Sequence, residues 1–344
     1  MKSYAGLLIT SFVCSAGVAF FTTPLVRLLS LRLGVLDSPG SAVKTHKEPT
    51  PVFGGVAIYL GFMATMLLLR MTTSFPTGTL YNLRALVLGG SLVFMLGLID
   101  DLKRPEGVDY KPKFIVQILA AALLIAFGLR MRFLQPAYVA YVVTVVWVVG
   151  VTNAFNIVDI MDGLSASQAA VAALAFLMIP LPSEELYVNF ASAALAGAAI
   201  GFLPWNLSRK HKIFMGDSGS LLIGFLLAGI SLGTRYSEVN DAGVFAPLLI
   251  LFVPAFDTLF VSLLRLNQGK SPFLGSKDHF ALRLEKMGLT RGWVVLIAGA
   301  AAGFMGLCAF LVTLLPLRGA VVVYVLVAIL VIWGGRRMAL VEMK

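Results

Sequence analysis

Eight of the seventeen carboxylates in this chain lie at the ends of apolar, membrane-length segments or in the short loop after one of them. They occur in LGLIDDLKRPEGVDY, TNAFNIVDIMDGL, FMGDSGSL and VPAFDTLF. An aspartate at the centre of a membrane helix costs about 2.5–3.5 kcal/mol on insertion scales, and such acids are usually functional. Carboxylates placed in this way suggest a metal or phosphate site at a membrane surface.

The first acidic pair is Asp100-Asp101. Neighbouring carboxylates resist joint ionisation unless a cation lies close by, and Mg²⁺ or a lysine would serve. Taken alone, the pair is equally compatible with a solvated helix end that is followed by Lys103 and Arg104.

The third motif is the most informative, because Asn153, Asn156, Asp159 and Asp162 recur at every third residue. In a helix these side chains would share a face. Gly163 is expected to end that helix. A row of amides and acids at the end of an apolar span is difficult to explain by packing, so it indicates a polar site.

The segment FMGDSGSL places Asp217 just before another apolar span. Ser218 or Ser220 is a candidate cap for the helix that begins there, and amides at a helix start attract phosphate. An alternative is that Asp217 itself is the N-cap.

The first long loop contains KTHKEPTPVFGG, in which Pro49 and Pro51 exclude a helix. Gly54 and Gly55 allow the backbone to approach another group closely. Lys47 would then be a fixed ammonium that is able to meet phosphate. The alternative is an ordinary basic loop before a helix.

The last long loop, 265–291, carries His279, which is as compatible with a structural role as with a catalytic one. From His279 onward the sequence predicts a short amphipathic helix, with Phe280, Leu282 and Leu284 as candidate lipid contacts. The partner of Asp257, in the preceding span, is not apparent.

No segment matches a zinc, Walker A, Rossmann or serine nucleophile motif. The acids therefore favour a hard, oxygen-ligated cation such as Mg²⁺, which commonly takes one or two carboxylates plus substrate phosphates.

Composition determines which elements must position these residues. Apolar residues make up 59% of the chain and charged residues 13%, against roughly 25% in soluble domains. The sequence predicts one all-α, polytopic membrane bundle over residues 1–344, without a separate soluble domain. It has eleven apolar stretches of spanning length. They run over 4–29, 53–70, 84–99, 113–129, 137–158, 165–181, 189–206, 218–233, 242–264, 291–315 and 319–334.

Loop charge orients this bundle. Nineteen of the 27 Lys and Arg residues fall on the face that carries the motifs, and seven fall on the other. The positive-inside rule makes the first face cytoplasmic, with the N-terminus outside and the C-terminus inside. The net charge of +10 is spread over short loops, which argues against nucleic acid and favours anionic lipid headgroups or substrates.

In order and spacing, HKEPTPVFGG, LIDDLK, NAFNIVDIMDGL and FMGDSGSL resemble the motifs of polyprenyl-phosphate N-acetylhexosamine-1-phosphate transferases (glycosyl transferase family 4). The resemblance spans about residues 20–290 and is strongest to the undecaprenyl-phosphate N-acetylglucosaminyl-1-phosphate transferases. It implies transfer of a sugar-1-phosphate from a UDP-sugar to polyprenyl phosphate, with release of UMP. It also implies a bacterial inner-membrane enzyme whose active site faces the cytoplasm, at the first membrane step of a cell-envelope glycan pathway such as lipopolysaccharide or cell wall synthesis.

The resemblance also implies roles for individual residues. Lys47 would contact phosphate, and one of Asp100 and Asp101 would act as base toward the lipid phosphate. Asp217 would ligate Mg²⁺, or Mn²⁺ in its place. Asp159 and Asp162 are predicted to be catalytic and, with Asn156, would shape the nucleotide site. His279 and Arg283 are predicted to contact substrate.

Two departures from the family pattern bear on the donor. Ile160 stands where a glycine is usual, and only His279 remains of a histidine cluster. The resemblance with these departures implies UDP-GlcNAc or another UDP-sugar as the donor. A more remote alternative is a transporter, which would place its acids near span midpoints. The sequence is also compatible with a homodimer.

Overall fold

The computed structural model describes residues 4–39, 48–74, 77–179, 186–233, 236–271 and 276–343. Within these ranges the chain forms thirteen α-helices, one 3-10 helix and a two-stranded sheet. The first six helices are α1 (Tyr4–Arg32), α2 (Gly54–Thr72), α3 (Thr77–Leu102), α4 (Tyr110–Ala126), α5 (Ala137–Val158) and α6 (Leu164–Met178). The other seven are α7 (Leu186–Asn206), α8 (Gly216–Ser231), α9 (Ala246–Ile250), α10 (Phe252–Asn267), α11 (Phe280–Lys286), α12 (Arg291–Leu314) and α13 (Leu317–Ala339).

Each of the eleven predicted apolar stretches contains helix within its described residues, which is consistent with a polytopic membrane bundle. Seven described helices are long and apolar enough to cross a membrane: α1, α2, α3, α5, α7, α12 and α13. The 3-10 helix with α9 and α10 adds an eighth if the bent assembly is one span. Because α4, α6 and α8 have only 15–17 residues, the count of eleven and the orientation of the termini stay predictions.

The stretch 242–264 is not the single straight span that the sequence predicts. The 3-10 helix (Asp241–Phe245) and α9 are bent by 75° from α10. The physical reason is Pro254, which has no amide hydrogen and whose ring would clash with the Ile250 carbonyl in a continuous helix. The break therefore follows from a residue that was visible in the sequence.

A short sheet departs from the all-α prediction. Strand β1 (Leu36–Asp37) pairs antiparallel with β2 (Thr50–Pro51), so that Leu36 lies opposite Pro51. This pairing brings the two ends of the first long loop together and places Asp37 next to the segment that precedes α2.

Close packing through small residues holds α8 at the centre of the bundle, where every residue from Ser218 to Ser231 is buried. A Cβ at Gly97 of α3 would lie 2.5 Å from the Asp217 carbonyl oxygen, and one at Gly224 of α8 would lie 2.7 Å from Thr152 Cα of α5. Small residues let membrane helices approach in this way. The acid-bearing ends of α3, α5 and α8 are thereby brought to one place.

Candidate active site

The Asp100-Asp101 pair at the end of α3 lies against the first turn of α8. Asp101 is fully buried, and its carboxylate accepts hydrogen bonds from Asp217 N at 2.9 Å, Ser218 N at 3.0 Å and Ser218 Oγ at 2.7 Å. These amides are among those that a helix start leaves without intrahelical partners. Asp101 therefore caps α8 from a different helix, and it holds Asp217 in position.

Neither serine that the sequence offered as a cap fills that role. Ser218 Oγ donates to Asp101, and Ser220 Oγ donates to the Gly216 carbonyl at 3.0 Å inside the helix. The prediction failed because the capping acid lies 116 residues away along the chain.

The backbone of the loop before α2 pairs with the segment before α8. Gly54 N donates to Phe214 O at 2.9 Å, Gly55 N to Met215 O at 2.7 Å, and Phe214 N to Pro51 O at 2.7 Å. A Cβ at Gly55 would lie 2.1 Å from Gly219 N. The close approach expected of these glycines is confirmed. Lys47, the predicted phosphate contact in the same loop, lies outside the described residues.

Two cations bridge the acids. Lys113 Nζ of α4 lies 2.8 Å from Asp100 Oδ1 and 2.8 Å from Asp217 Oδ2. The Arg104 guanidinium lies 2.6 Å from Asp37 Oδ1, 3.2 Å from Asp101 Oδ1 and 3.6 Å from Asp217 Oδ1. Four carboxylates thus share two cations, so the cluster keeps an excess of negative charge.

That arrangement fits a divalent cation. Carboxylate oxygens of Asp100, Asp101 and Asp217 lie within 4.8 Å of one another. Both Asp101 oxygens are engaged by the start of α8, whereas Asp100 and Asp217 share the Lys113 ammonium, which occupies the space a cation would take. All-oxygen donors suit Mg²⁺. Asp217, at the start of α8, is therefore the best-placed ligand.

The row of amides and acids is only partly a helical face. Helix α5 ends at Val158, so Asn153 and Asn156 are helical while Asp159 and Asp162 lie in the following turn. Gly163, with φ +78°, does not end α5 but precedes α6. Gly163 closes the turn that carries both acids, and Asp159 and Asp162 line the cavity described next.

A cavity of about 220 Å³ lies beside the acid cluster. Its lining includes Asn156, Asp159, Ile160, Asp162, Lys212, Asp217 and Arg291. Asn156 Nδ2 donates to Ser220 Oγ at 3.0 Å, and Lys212 Nζ lies 2.6 Å from Asp162 Oδ2. The predicted nucleotide-site row and the predicted metal ligand thus face one space.

Asp159 differs from its neighbours because no described residue forms a hydrogen bond or ion pair with it. Burial, with the charges of Asp217 and Asp162 close by, raises the pKa of Asp159 to about 8. A carboxyl held in this state is costly to ionise and is well suited to receive a cationic or hydrogen-bonding ligand.

His279 and Arg283 lie apart from this cavity. His279 Nδ1 is 2.7 Å from Asp257 Oδ2, and Phe280 N donates to Asp257 Oδ1 at 2.9 Å. Asp257, which had no evident partner in the sequence, therefore fixes His279 and the start of α11. Phe280 and Leu282 are buried rather than facing lipid, because α11 packs into the protein.

Arg283 is almost fully buried and clamps neighbouring segments. Its guanidinium donates to Asp278 Oδ1 at 2.9 Å and to the carbonyls of Met338 and Val341. Leu282, between these two anchored residues, does line the cavity. His279 and Arg283 therefore position a wall of the site.

Comparison with known proteins identifies the family. A family model described as "Glycosyl transferase family 4" matches residues 83–235 of this chain. The decaprenyl-phosphate N-acetylglucosaminephosphotransferase of Mycolicibacterium smegmatis is 33% identical, over 88% of this chain and 87% of its own length. The chain belongs to glycosyl transferase family 4.

Other members of glycosyl transferase family 4 show a similar likeness. The decaprenyl-phosphate N-acetylglucosaminephosphotransferase of Mycobacterium tuberculosis is 34% identical, over 82% of this chain and 77% of its own length. The undecaprenyl-phosphate alpha-N-acetylglucosaminyl 1-phosphate transferase of Pasteurella multocida is 33% identical, over 83% and 81%. The resemblance drawn from the four motifs is confirmed.

For this family 4 chain, sequence reasoning missed the cations of the site. Arg104 was predicted only to follow a solvated helix end, and Lys113 and Lys212 only to set orientation as loop charges, although each contacts a motif acid. Lys113 lies at the start of an apolar stretch directly after the acidic loop. Its position on the same predicted face as the motif acids was the one signal in the sequence that it could contact them.

Proposed function

We propose that this protein transfers N-acetylhexosamine-1-phosphate, foremost GlcNAc-1-phosphate, from a UDP-sugar to polyprenyl phosphate and releases UMP. The relatives' names, which describe this class of reaction, support the proposal. The observation that carries it is the contact of Asp100 and Asp217 with Lys113 beside an acid-lined cavity.

In the proposed step an oxygen of the lipid phosphate attacks the β-phosphorus of the UDP-sugar. The bond from that phosphorus to the bridging oxygen breaks, and its electron pair leaves with UMP. Both reactants are anionic, so positioning and charge neutralisation dominate catalysis. Bound at Asp217, Mg²⁺ would neutralise the diphosphate and stabilise the leaving group.

Asp100 is the better candidate for the base. Both Asp101 oxygens accept bonds from the start of α8, so Asp101 is committed to positioning Asp217. Asp100 lies at the end of α3 with one oxygen bound to Val108 N at 2.6 Å and to Lys113. The commitment of Asp101 also favours direct attack over an aspartyl-phosphate intermediate.

We assign the donor to the cavity beside the cluster. Asn156, Asp159 and Asp162 would shape its nucleotide side, while Lys212 and the predicted contact Lys47 would meet phosphate. His279 and Arg283 would act on the donor through Leu282, whose helix they anchor.

A different UDP-sugar remains the second candidate donor, and one observation favours it. Ile160 lines the cavity where the family usually has glycine. A branched side chain there narrows the space that the donor enters.

The cellular setting belongs to the same proposal. A site that uses UDP-sugars faces the cytoplasm, and the named relatives are bacterial. We therefore place the enzyme in the bacterial inner membrane, at the first membrane step of a cell-envelope glycan pathway. A homodimer is compatible with this setting.

The test is release of UMP by purified protein that is supplied with undecaprenyl phosphate, Mg²⁺ and each member of a panel of UDP-sugars. We expect turnover with UDP-GlcNAc and a fall on the order of 100-fold or more in Asp217→Asn, the range for losing one preorganised charge contact. Glu106→Gln, an exposed acid in the neighbouring loop, is the matched control and should retain activity. Turnover by Asp217→Asn equal to this control would refute the assignment of Asp217.

A further inference from the structure

A second cavity, of about 490 Å³, lies at the opposite end of α5 and α8 from the acid cluster. It is bounded by the segment 130–134 before α5, by Ser231, Leu232 and Gly233 at the end of α8, and by the region of the 3-10 helix and α9. Nothing in the proposed reaction uses it.

The two cavities lie at opposite ends of α5, a helix long enough to cross a membrane. Helix α5 has 22 residues, which at 1.5 Å per residue gives about 33 Å. This length matches a hydrocarbon core of about 30 Å. Asp159 directly follows α5 at one cavity, and Phe133 and Leu134 precede α5 at the other.

The walls of the second cavity are largely apolar. They include Phe133, Val143, Trp147, Leu232 and Phe245. The Trp147 indole N–H donates to Ser231 Oγ at 2.9 Å, so its polar atom is satisfied and its ring presents an apolar face. Such a wall suits an acyl chain.

The rim carries unneutralised positive charge. Arg130 and Arg132 both line the cavity, and among residues of known placement neither forms an ion pair. The Arg130 guanidinium instead lies over the Tyr141 ring, 5.0 Å from its centroid. Glu238, also at the cavity, likewise has no ion-pair partner in the described chain, so two cations face one acid. Charge complementarity therefore calls for an anion at the membrane surface.

We propose that this cavity binds an anionic phospholipid, with its phosphate at Arg130 and Arg132 and an acyl chain against Trp147 and Leu232. The combination of apolar walls and a cationic rim matches the two halves of such a lipid. Near a membrane surface each Arg–anion attraction corresponds to roughly a fivefold change in affinity.

The experiment titrates phosphatidylglycerol, and phosphatidylcholine with the same acyl chains, into the full-length protein in detergent, with bound lipid counted by native mass spectrometry. We expect tighter binding of phosphatidylglycerol. Arg130→Gln/Arg132→Gln should weaken that binding about 25-fold. Arg318→Gln is the matched control because it lies at the same membrane face, exposed and outside the cavity.

A second variant keeps the test decisive if the double substitution fails to fold. Val143→Trp fills the cavity but keeps both arginines, and it should abolish tight binding while UMP release persists. Equal binding of the two lipids by the wild type would overturn the proposal. So would an equal loss in Arg318→Gln, or full binding by Val143→Trp.

Discussion

Two acidic regions meet at the cavity, and they differ in how many of their carboxylates already have a bonded partner. In the α3–α8 cluster (Asp100, Asp101 and Asp217), every acid already contacts a cation or a backbone amide. In the α5 turn (Asp159 and Asp162), Asp162 holds Lys212, whereas Asp159 has no bonded partner in the described structure. The cluster is fixed before any ligand arrives, while the turn leaves a carboxyl ready to receive one.

The largest effect on stability and activity should come from substitution of Asp101 in the α3–α8 cluster. Asp101→Ala would leave three donors at the start of α8 without an acceptor, each at about 1–3 kcal/mol. We expect a marked loss of thermal stability in detergent and no detectable UMP release. Asp109→Ala is the matched control, since Asp109 is exposed and accepts one bond, from Tyr110 N at 2.7 Å. Equal melting of the two variants would show that Asp101 does not hold α8.

A smaller loss, confined to activity, is expected when the cluster loses its ammonium. Lys113→Met removes the cation that lies 2.8 Å from both Asp100 and Asp217. UMP release should fall on the order of 100-fold. Lys111→Met changes an exposed lysine on the same helix and should leave the rate unchanged. A normal rate in Lys113→Met would mean that the bridge plays no part in turnover.

Substitution of an acid in the α5 turn should raise the stability of the protein, whereas substitution of Asp101 should lower it. The pKa of Asp159 is raised from 3.8 to about 8, so the folded state resists ionisation that the unfolded chain permits. The resulting decrease in the free energy of unfolding begins near pH 4, grows as the pH rises and is complete above pH 8. Asp159→Asn should therefore raise the melting temperature without added divalent cation, and the gain should shrink as the pH falls from 8 to 4. A pH-independent change would contradict this account.

The smallest effect concerns the donor. Ile160→Gly enlarges the cavity beside the turn and should change the ratio of kcat/KM between UDP-sugars by roughly tenfold, within the range for small pocket changes. Ile160→Val, which keeps a branched side chain, is the control. An unchanged ratio in Ile160→Gly would remove this side chain from donor selection.

The sequence predicted the helices and the acids of the site because both depend on local features. Long apolar runs form helices in a membrane, where each backbone group must be satisfied within its own segment. The position of Asp217 at the start of α8, and the close approach of Gly54 and Gly55, were likewise predicted from local residue types and are observed.

What the sequence could not predict depends on contacts between distant segments. Asp101 meets Ser218 across 117 residues and Asp257 meets His279 across 22, and neither spacing has a periodic signal. A three-residue repeat also fits a helical face, so the sequence gives no signal for the turn that follows Val158. Pro254, in contrast, was a readable signal for the break before α10.

We assign the cation site to the α3–α8 cluster, with Asp217 as its ligand. Titration of Mn²⁺ into purified protein, with free Mn²⁺ followed by electron paramagnetic resonance, measures this binding. We expect a bound Mn²⁺ in the wild type and in Glu106→Gln that is lost in Asp217→Asn. Undiminished binding by folded Asp217→Asn would contradict it.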